Sequence, residues 1–205
     1  MIITDTQKDF KIAPAGNHLA RLYSIIDIGH QETVWKGETK IMHKVVFTWE
    51  LHGEDNDGNP LTTDDGKPLI VSKRYTVSLG DQSTLRKDLE SWSGKKMTDE
   101  DRKGFDLKTL LGKFCMLSIV HSDDGKYANV GSINSVPTAI RNAIPEGINQ
   151  PISFWLNDYT KEQYDALPKY YREKITESSE WRGSKAKEET SIEEKMSALD
   201  DDIPF

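Results

Sequence analysis

The sequence predicts a mainly β fold: a five-stranded barrel with a helix between strands three and four, a helical C-terminal extension and a disordered acidic tail. Three observations predict it. Within residues 1–140, five segments read as strands, with spacing-two alternation in 40–51 and 68–79 and a nearly continuous apolar run at 113–121, and turn formers such as Asp65-Gly66 and Asp124-Gly125 lie between them. Between the third and fourth of these segments the apolar spacing becomes helical. The last stretch, 182–205, is charged and carries only scattered apolar residues, too few to offset the entropy lost on ordering.

Strand one is expected within 18–29 (HLARLYSIIDIG), where the pattern is mixed, and strand two within 40–51 (KIMHKVVFTWEL), where it is clear. In strand two Ile41, His43, Val45, Phe47, Trp49 and Leu51 share one face, with Lys40, Met42, Lys44, Val46, Thr48 and Glu50 on the other. One face then looks inward. Residues 30–39 (HQETVWKGET) read as the loop between these strands, and 52–67 as a long polar loop projecting from a hairpin. Strand three falls within 68–79. Asp81 or Ser83 caps a helix whose Leu85, Leu89 and Trp92 fall on one side, and Gly94 stops it. A second short helix is expected at 107–111, capped by Asp106 and followed by Gly112.

Strand four, 113–121, is a nearly continuous apolar run, and strand five, 126–136, follows it across a tight turn. Three strands, a helix and two strands is the order of an OB-type barrel, one that other small barrels also produce, and 1–140 is read as one OB-fold domain. Residues 141–181 form an ordered helical extension in which Phe154, Trp155 and Leu156 dock on the barrel. Thr160 with Gln163 makes a capping-box pattern there, and Pro168 suits the first turn of a helix over 169–177.

Composition bounds the functions. The chain is 36% hydrophobic and 30% charged, which suits a single core with some unfolded sequence attached. No apolar run approaches the roughly 18 residues of a membrane span, and MIITDTQKDF lacks the basic start and apolar stretch of a signal peptide, so a cytoplasmic protein with no membrane partner is expected. Cys115, the single cysteine, sits between Phe114 and Met116 and reads as a buried structural thiol. Net charge is −7, but from residue 184 onward three lysines face seven acids, a net of −4 that leaves −3 on the body. A weakly acidic body of that kind is compatible with a basic groove.

Binding a single strand of nucleic acid needs flat side chains for bases to stack on and cations along the phosphate path. Such mixtures occur at Trp35 and Lys36 in the 30–39 segment, at Lys40 and Lys44 on the outer face of strand two, at Lys73, Arg74 and Tyr75 on strand three, and at Lys126 and Tyr127 opening strand five. Trp35 is the leading stacking candidate. For Phe47, Trp49 and Tyr75 the apolar neighbours at spacing two favour core packing instead.

The ending Asp200-Asp201-Asp202-Ile203-Pro204-Phe205 joins long-range attraction for a basic rim to an apolar plug stiffened by proline. It resembles the acidic tip of bacterial single-stranded DNA-binding proteins. The body resembles phage-encoded single-stranded DNA-binding proteins with one OB domain and a helical extension closing on a stretch like ITESSEW, Ile175 to Trp181. The resemblance implies a protein that coats and protects single-stranded DNA during replication, recombination or repair, with the tip recruiting replication and repair proteins. It does not imply tetramerisation, because the connection between strands three and four is long and the linker short and charged.

Enzymatic readings find little support. His18, His30, His43, His52 and His121 are scattered without HExxH or paired Cys/His spacing, and no phosphate loop or nucleophile elbow occurs, so neither a metal nor a cofactor nor a catalytic residue is assigned. The DNDGN stretch at 55–59 resembles the start of a calcium loop, but Pro60 and Gly66 stand where such a loop needs glycine and glutamate. A metal-dependent nuclease with dispersed carboxylates and an adaptor competing for the partners of the host's single-strand binder are the alternatives.

Overall fold

The computed structural model describes residues 11–35 and 37–183. In chain order the elements are β1 (Gly16–Trp35), β2 (Glu38–His52), β3 (Ile70–Thr76), α1 (Thr84–Ser93), α2 (Asp99–Lys103), β4 (Phe114–His121), β5 (Ala128–Asn134), β6 (Ile152–Phe154), α3 (Lys161–Asp165) and α4 (Lys169–Thr176). Two 3-10 turns, Leu107–Leu110 and Thr138–Ala143, complete the set. The strands form an open antiparallel sheet in the order β3-β2-β1-β4-β5, and β6 adds to β1. Placing the fourth strand back beside the first is the Greek-key arrangement. β4 lies antiparallel to β1 from Gly16↔Ile119 to Arg21↔Phe114, and to β5 from Met116↔Asn134 to His121↔Ala128, with a register shift at Ser118/Ile119. No helix among the described residues is long and apolar enough to cross a membrane.

Two strand readings change. Residues 30–39 are not a loop: β1 continues to Trp35 and β2 begins at Glu38. Polar side chains at these positions mimic loop composition, yet the backbone still extends into a solvated two-stranded arm. The second face of strand two is not outward along its whole length, since every residue from Val45 to His52 is buried, including Val46, Thr48 and Glu50. β1 behaves alike, alternating up to Ser24 and then burying both faces through Gly29. That two-sided burial is the physical source of the mixed pattern in its sequence.

The helices follow their caps. Ser83 Oγ accepts from Arg86 N at 3.3 Å, α1 buries Leu85, Leu89 and Trp92, and Gly94 ends it at φ 70° in the left-handed region. The 107–111 segment is a single 3-10 turn with Asp106 as its cap. α2 and β6 have no counterpart in the sequence reading, being five and three residues long. The Thr160–Gln163 capping box forms and opens α3, while Pro168 occupies the N-cap position of α4.

The chain divides into two compact units that are discontinuous in sequence, one comprising residues up to Ile25 with Phe47–Arg74 and Ser78–Ile152, the other Ile26–Val46, Tyr75–Val77 and the stretch from Ser153. In the first, Phe47 and Trp49 pack edge to face at 5.8 Å and Trp49 meets Trp92 at 6.4 Å, over a core that includes Leu22, Leu117, Ile119 and Ile133. Cys115 is fully buried there, and burial pushes its thiol pKa up, as a structural thiol requires. In the second, Ile26, Ile28 and Val46 from the strands pack with Phe154, Leu167 and Ile175 from the extension. Leu156 joins that cluster from its edge, whereas Trp155 is only half-buried.

Candidate nucleic-acid interface

In the second unit the β1–β2 arm carries four of the predicted contact residues. Lys36 lies outside the described residues, and Trp35 is described only as the last residue of β1. Lys40 is exposed and pairs with Glu38 at 3.6 Å, a contact that water screens. Lys44 is half-buried and donates to Thr76 Oγ1 at 2.7 Å, so its ammonium is turned toward β3. Tyr75, from the short β3 portion of this unit, is 2% exposed. Its ring therefore packs in the interior, as its apolar neighbours at spacing two favour, and offers no open face to a base, so Tyr75 drops out of the predicted contact set.

The same arm presents side chains the sequence reading left out. Val34 and Ile41 are exposed, at 71% and 58%. His30 and His43 stack with ring centroids 4.9 Å apart. His43 Nε2 donates to Asp27 Oδ1 at 2.7 Å, and His30 Nδ1 donates to Glu180 Oε1 at 2.5 Å while the His30 amide donates to Glu180 Oε2 at 2.9 Å. The hydrogen bond to Asp27 raises the His43 pKa, with burial opposing it and the charges of Asp27 and Glu180 adding to it. Gly29, at φ 71°, makes this approach feasible, because a Cβ there would meet Leu156, Glu180 and Ser178 at 2.5–2.8 Å.

In the first unit, Lys73 forms an ion pair with Asp88 at 2.7 Å and both side chains are largely covered, so Lys73 ties β3 to α1. Arg74 is exposed. Lys126 and Tyr127 are exposed as well, and they stand in the β4–β5 turn, just before β5 begins at Ala128. That turn is held by Ser122, whose Oγ donates to Asp124 Oδ1 at 2.6 Å and accepts from Tyr127 N at 3.1 Å. The hydrogen bond from Ser122 also lowers the Asp124 pKa. Tyr127 is 65% exposed on a fixed turn, the geometry a stacking side chain needs.

Two further features of this unit escaped the sequence reading. Glu50 is fully buried and accepts from Arg21 Nη1 at 3.0 Å, His52 Nε2 at 3.1 Å, Ile148 N at 2.9 Å and Asn149 N at 2.6 Å. Burial pushes its pKa up, but these donors outweigh it and leave the carboxyl below its ordinary value. Gly147 leaves the space that the Arg21 guanidinium fills. The second feature is a recess of about 710 Å³ whose walls include Trp92, Phe105 and Phe114 and whose rim includes Lys95, Lys113 and Arg141. These six come from four separate stretches of chain, so no local motif signals them.

Asp55, in the calcium-like stretch, accepts from the amides of Asp57 and Asn59 at 3.0 and 2.8 Å, which makes that stretch a self-satisfied turn. Asp200, Asp201, Asp202, Ile203, Pro204 and Phe205 lie outside the described residues. Compared with known proteins, the chain matches no family model and no curated protein sequence.

Proposed function

We propose that this chain binds single-stranded DNA largely independently of sequence, through an OB-type barrel closed between β3 and β5, and recruits replication or repair proteins through its acidic Ile-Pro-Phe tip. The observation that carries the reading is the strand order β3-β2-β1-β4-β5 with α1 inserted between β3 and β4. Strand order and helix position together are what a five-stranded Greek-key barrel of this type calls for. Support for the ligand comes from Tyr127 with Lys126 on the β4–β5 turn, from exposed Arg74, and from the solvated β1–β2 arm bearing Lys40. Loops at these two positions are where OB-type barrels bind nucleic acid.

The test is a gel-shift titration with labelled single and double strands at several salt concentrations. Binding to single strands that weakens steeply with salt and varies little among sequences is expected. A log–log slope near zero between roughly 50 and 200 mM salt, or a preference for duplex, sinks the reading. For the tip, the double substitution Ile203→Ala and Phe205→Ala is expected to abolish capture of replication and repair proteins while leaving strand affinity unchanged. Equal capture by this variant removes the tip from the proposal.

A further inference from the structure

We infer that the recess lined by α1, the segment following it, the start of β4 and the stretch just after β5 is a nucleotide subsite, taking one base of the bound strand between its aromatic walls and the adjoining phosphate on its cationic rim. The inference rests on the single-strand reading above. Its position is one the sequence gives no reason to suspect, since none of its residues is among the predicted contacts.

Local structure builds the recess. Gly94 turns the chain at the end of α1, so that Lys95 and Lys96 emerge at the rim directly after a helix whose Trp92 points inward. Trp92 is fixed by donation from Nε1 to the Phe114 carbonyl at 2.8 Å, which locks one wall to β4. Gly112, at φ 80°, then turns the chain from the 3-10 segment into β4 and places Lys113 at the rim. On the far side Arg141 is held by donation from Nε to the Val136 carbonyl at 3.2 Å. Phe105 and Phe114 are partly exposed, so each has ring surface open to the recess.

Charge decides which ligand suits it. Lys96 is neutralised by Glu90 at 2.8 Å, but no carboxylate pairs with Lys95, Lys113 or Arg141 among the described residues. One acid lines the recess, Asp101, and its Oδ2 already accepts from Thr98 N and Thr98 Oγ1, each at 2.8 Å. Three uncompensated cations around an aromatic interior call for an anion joined to a flat apolar body. A nucleotide is that combination, and 710 Å³ lies within the range of about 300–1,000 Å³ typical of small-ligand sites. Stacking accepts every base, so such a subsite is compatible with sequence-independent binding.

The full-length chain is irradiated with a fluorescein-labelled oligothymidine, and the cross-linked peptides are mapped. Cross-links to peptides containing Phe105, Phe114 or Arg141 are expected. In titrations, Lys113→Glu combined with Arg141→Glu is expected to weaken binding by about tenfold or more and to flatten the log–log salt slope by about 1.4, since each lost phosphate contact removes roughly 0.7. Phe105→Ala is expected to weaken binding and Phe105→Tyr to restore it. If the unmodified chain binds the strand but cross-links elsewhere, and these variants bind as it does, the subsite is overturned while the single-strand reading stands. Absence of any strand binding by the unmodified chain overturns both. If a photoreactive Asp-Asp-Asp-Ile-Pro-Phe peptide labels the recess and the oligonucleotide does not, the occupant is an acidic peptide and the assignment fails.

Discussion

The carboxylates of Glu50 and Glu180 both serve histidine and backbone donors, but in opposite surroundings. Glu50 is closed off from water, and its four donors are divided between strand side chains and the 148–149 backbone. His30 and Glu180 are each about two-fifths exposed, with side-chain exposures of 44% and 39%. An enclosed carboxylate with fixed donors acts as a structural joint whose charge does not change near neutral pH. Beside the half-open His30–Glu180 contact, His43, whose pKa the Asp27 hydrogen bond raises, answers to pH. The joint belongs to the unit with the recess and Tyr127, while His43 belongs to the unit with the β1–β2 arm.

The largest expected effect tests the joint. Glu50→Ala removes the acceptor for a guanidinium only 12% exposed and strands two backbone amides, so a loss of about 3–5 kcal/mol in denaturant unfolding is expected. A loss below about 1 kcal/mol shows that Arg21 and the 148–149 amides find water instead. The next test compares the two units as strand contacts. Tyr127→Ala and Trp35→Ala are each expected to weaken single-strand binding by about 1–3 kcal/mol without changing the unfolding midpoint. If only one of them does, the strand path includes only that unit.

Smaller effects sharpen the contrast further. Ser83→Ala removes the side-chain cap of α1 and is expected to cost about 1 kcal/mol, read from thermal unfolding. The pH dependence is expected to be smaller still and to differ in sign between the regions. His43 has a raised pKa in the folded chain, so its contribution is fully present below its ordinary value of 6.5 and is lost as pH rises through the folded value. Glu50 has a lowered pKa, so its contribution is present above its ordinary value of 4.5 and is lost as pH falls through the folded value. Unfolding followed from about pH 2 to 9 should therefore show an alkaline decline that His43→Asn flattens and an acid decline that it leaves in place. An unchanged alkaline limb in that variant removes His43 from the account.

Much of this fold is written in local patterns. Alternation in 40–51 and 68–79, the apolar run at 113–121, the Asp124-Gly125 turn and the Ser83 and Thr160 caps act over two to four residues, and each formed close to where those patterns place it. The ordinary burial of Phe47, Trp49 and Cys115 follows from the same short-range logic. What local pattern did not decide is which polar residues go inside. Glu50, Thr48 and Asp27 sit at positions that look solvated, and they are buried because hydrogen-bond partners from distant segments meet them: Asn149 for Glu50, Ser72 for Thr48, His43 and Leu156 for Asp27. Polarity likewise disguised the β1–β2 arm as a loop, since strand pairing there is satisfied by the backbone and asks little of the side chains. The recess needed the tertiary structure most of all. Its cations and rings come from residues 92–95, 105, 113–114 and 141, and only the folded chain makes them neighbours.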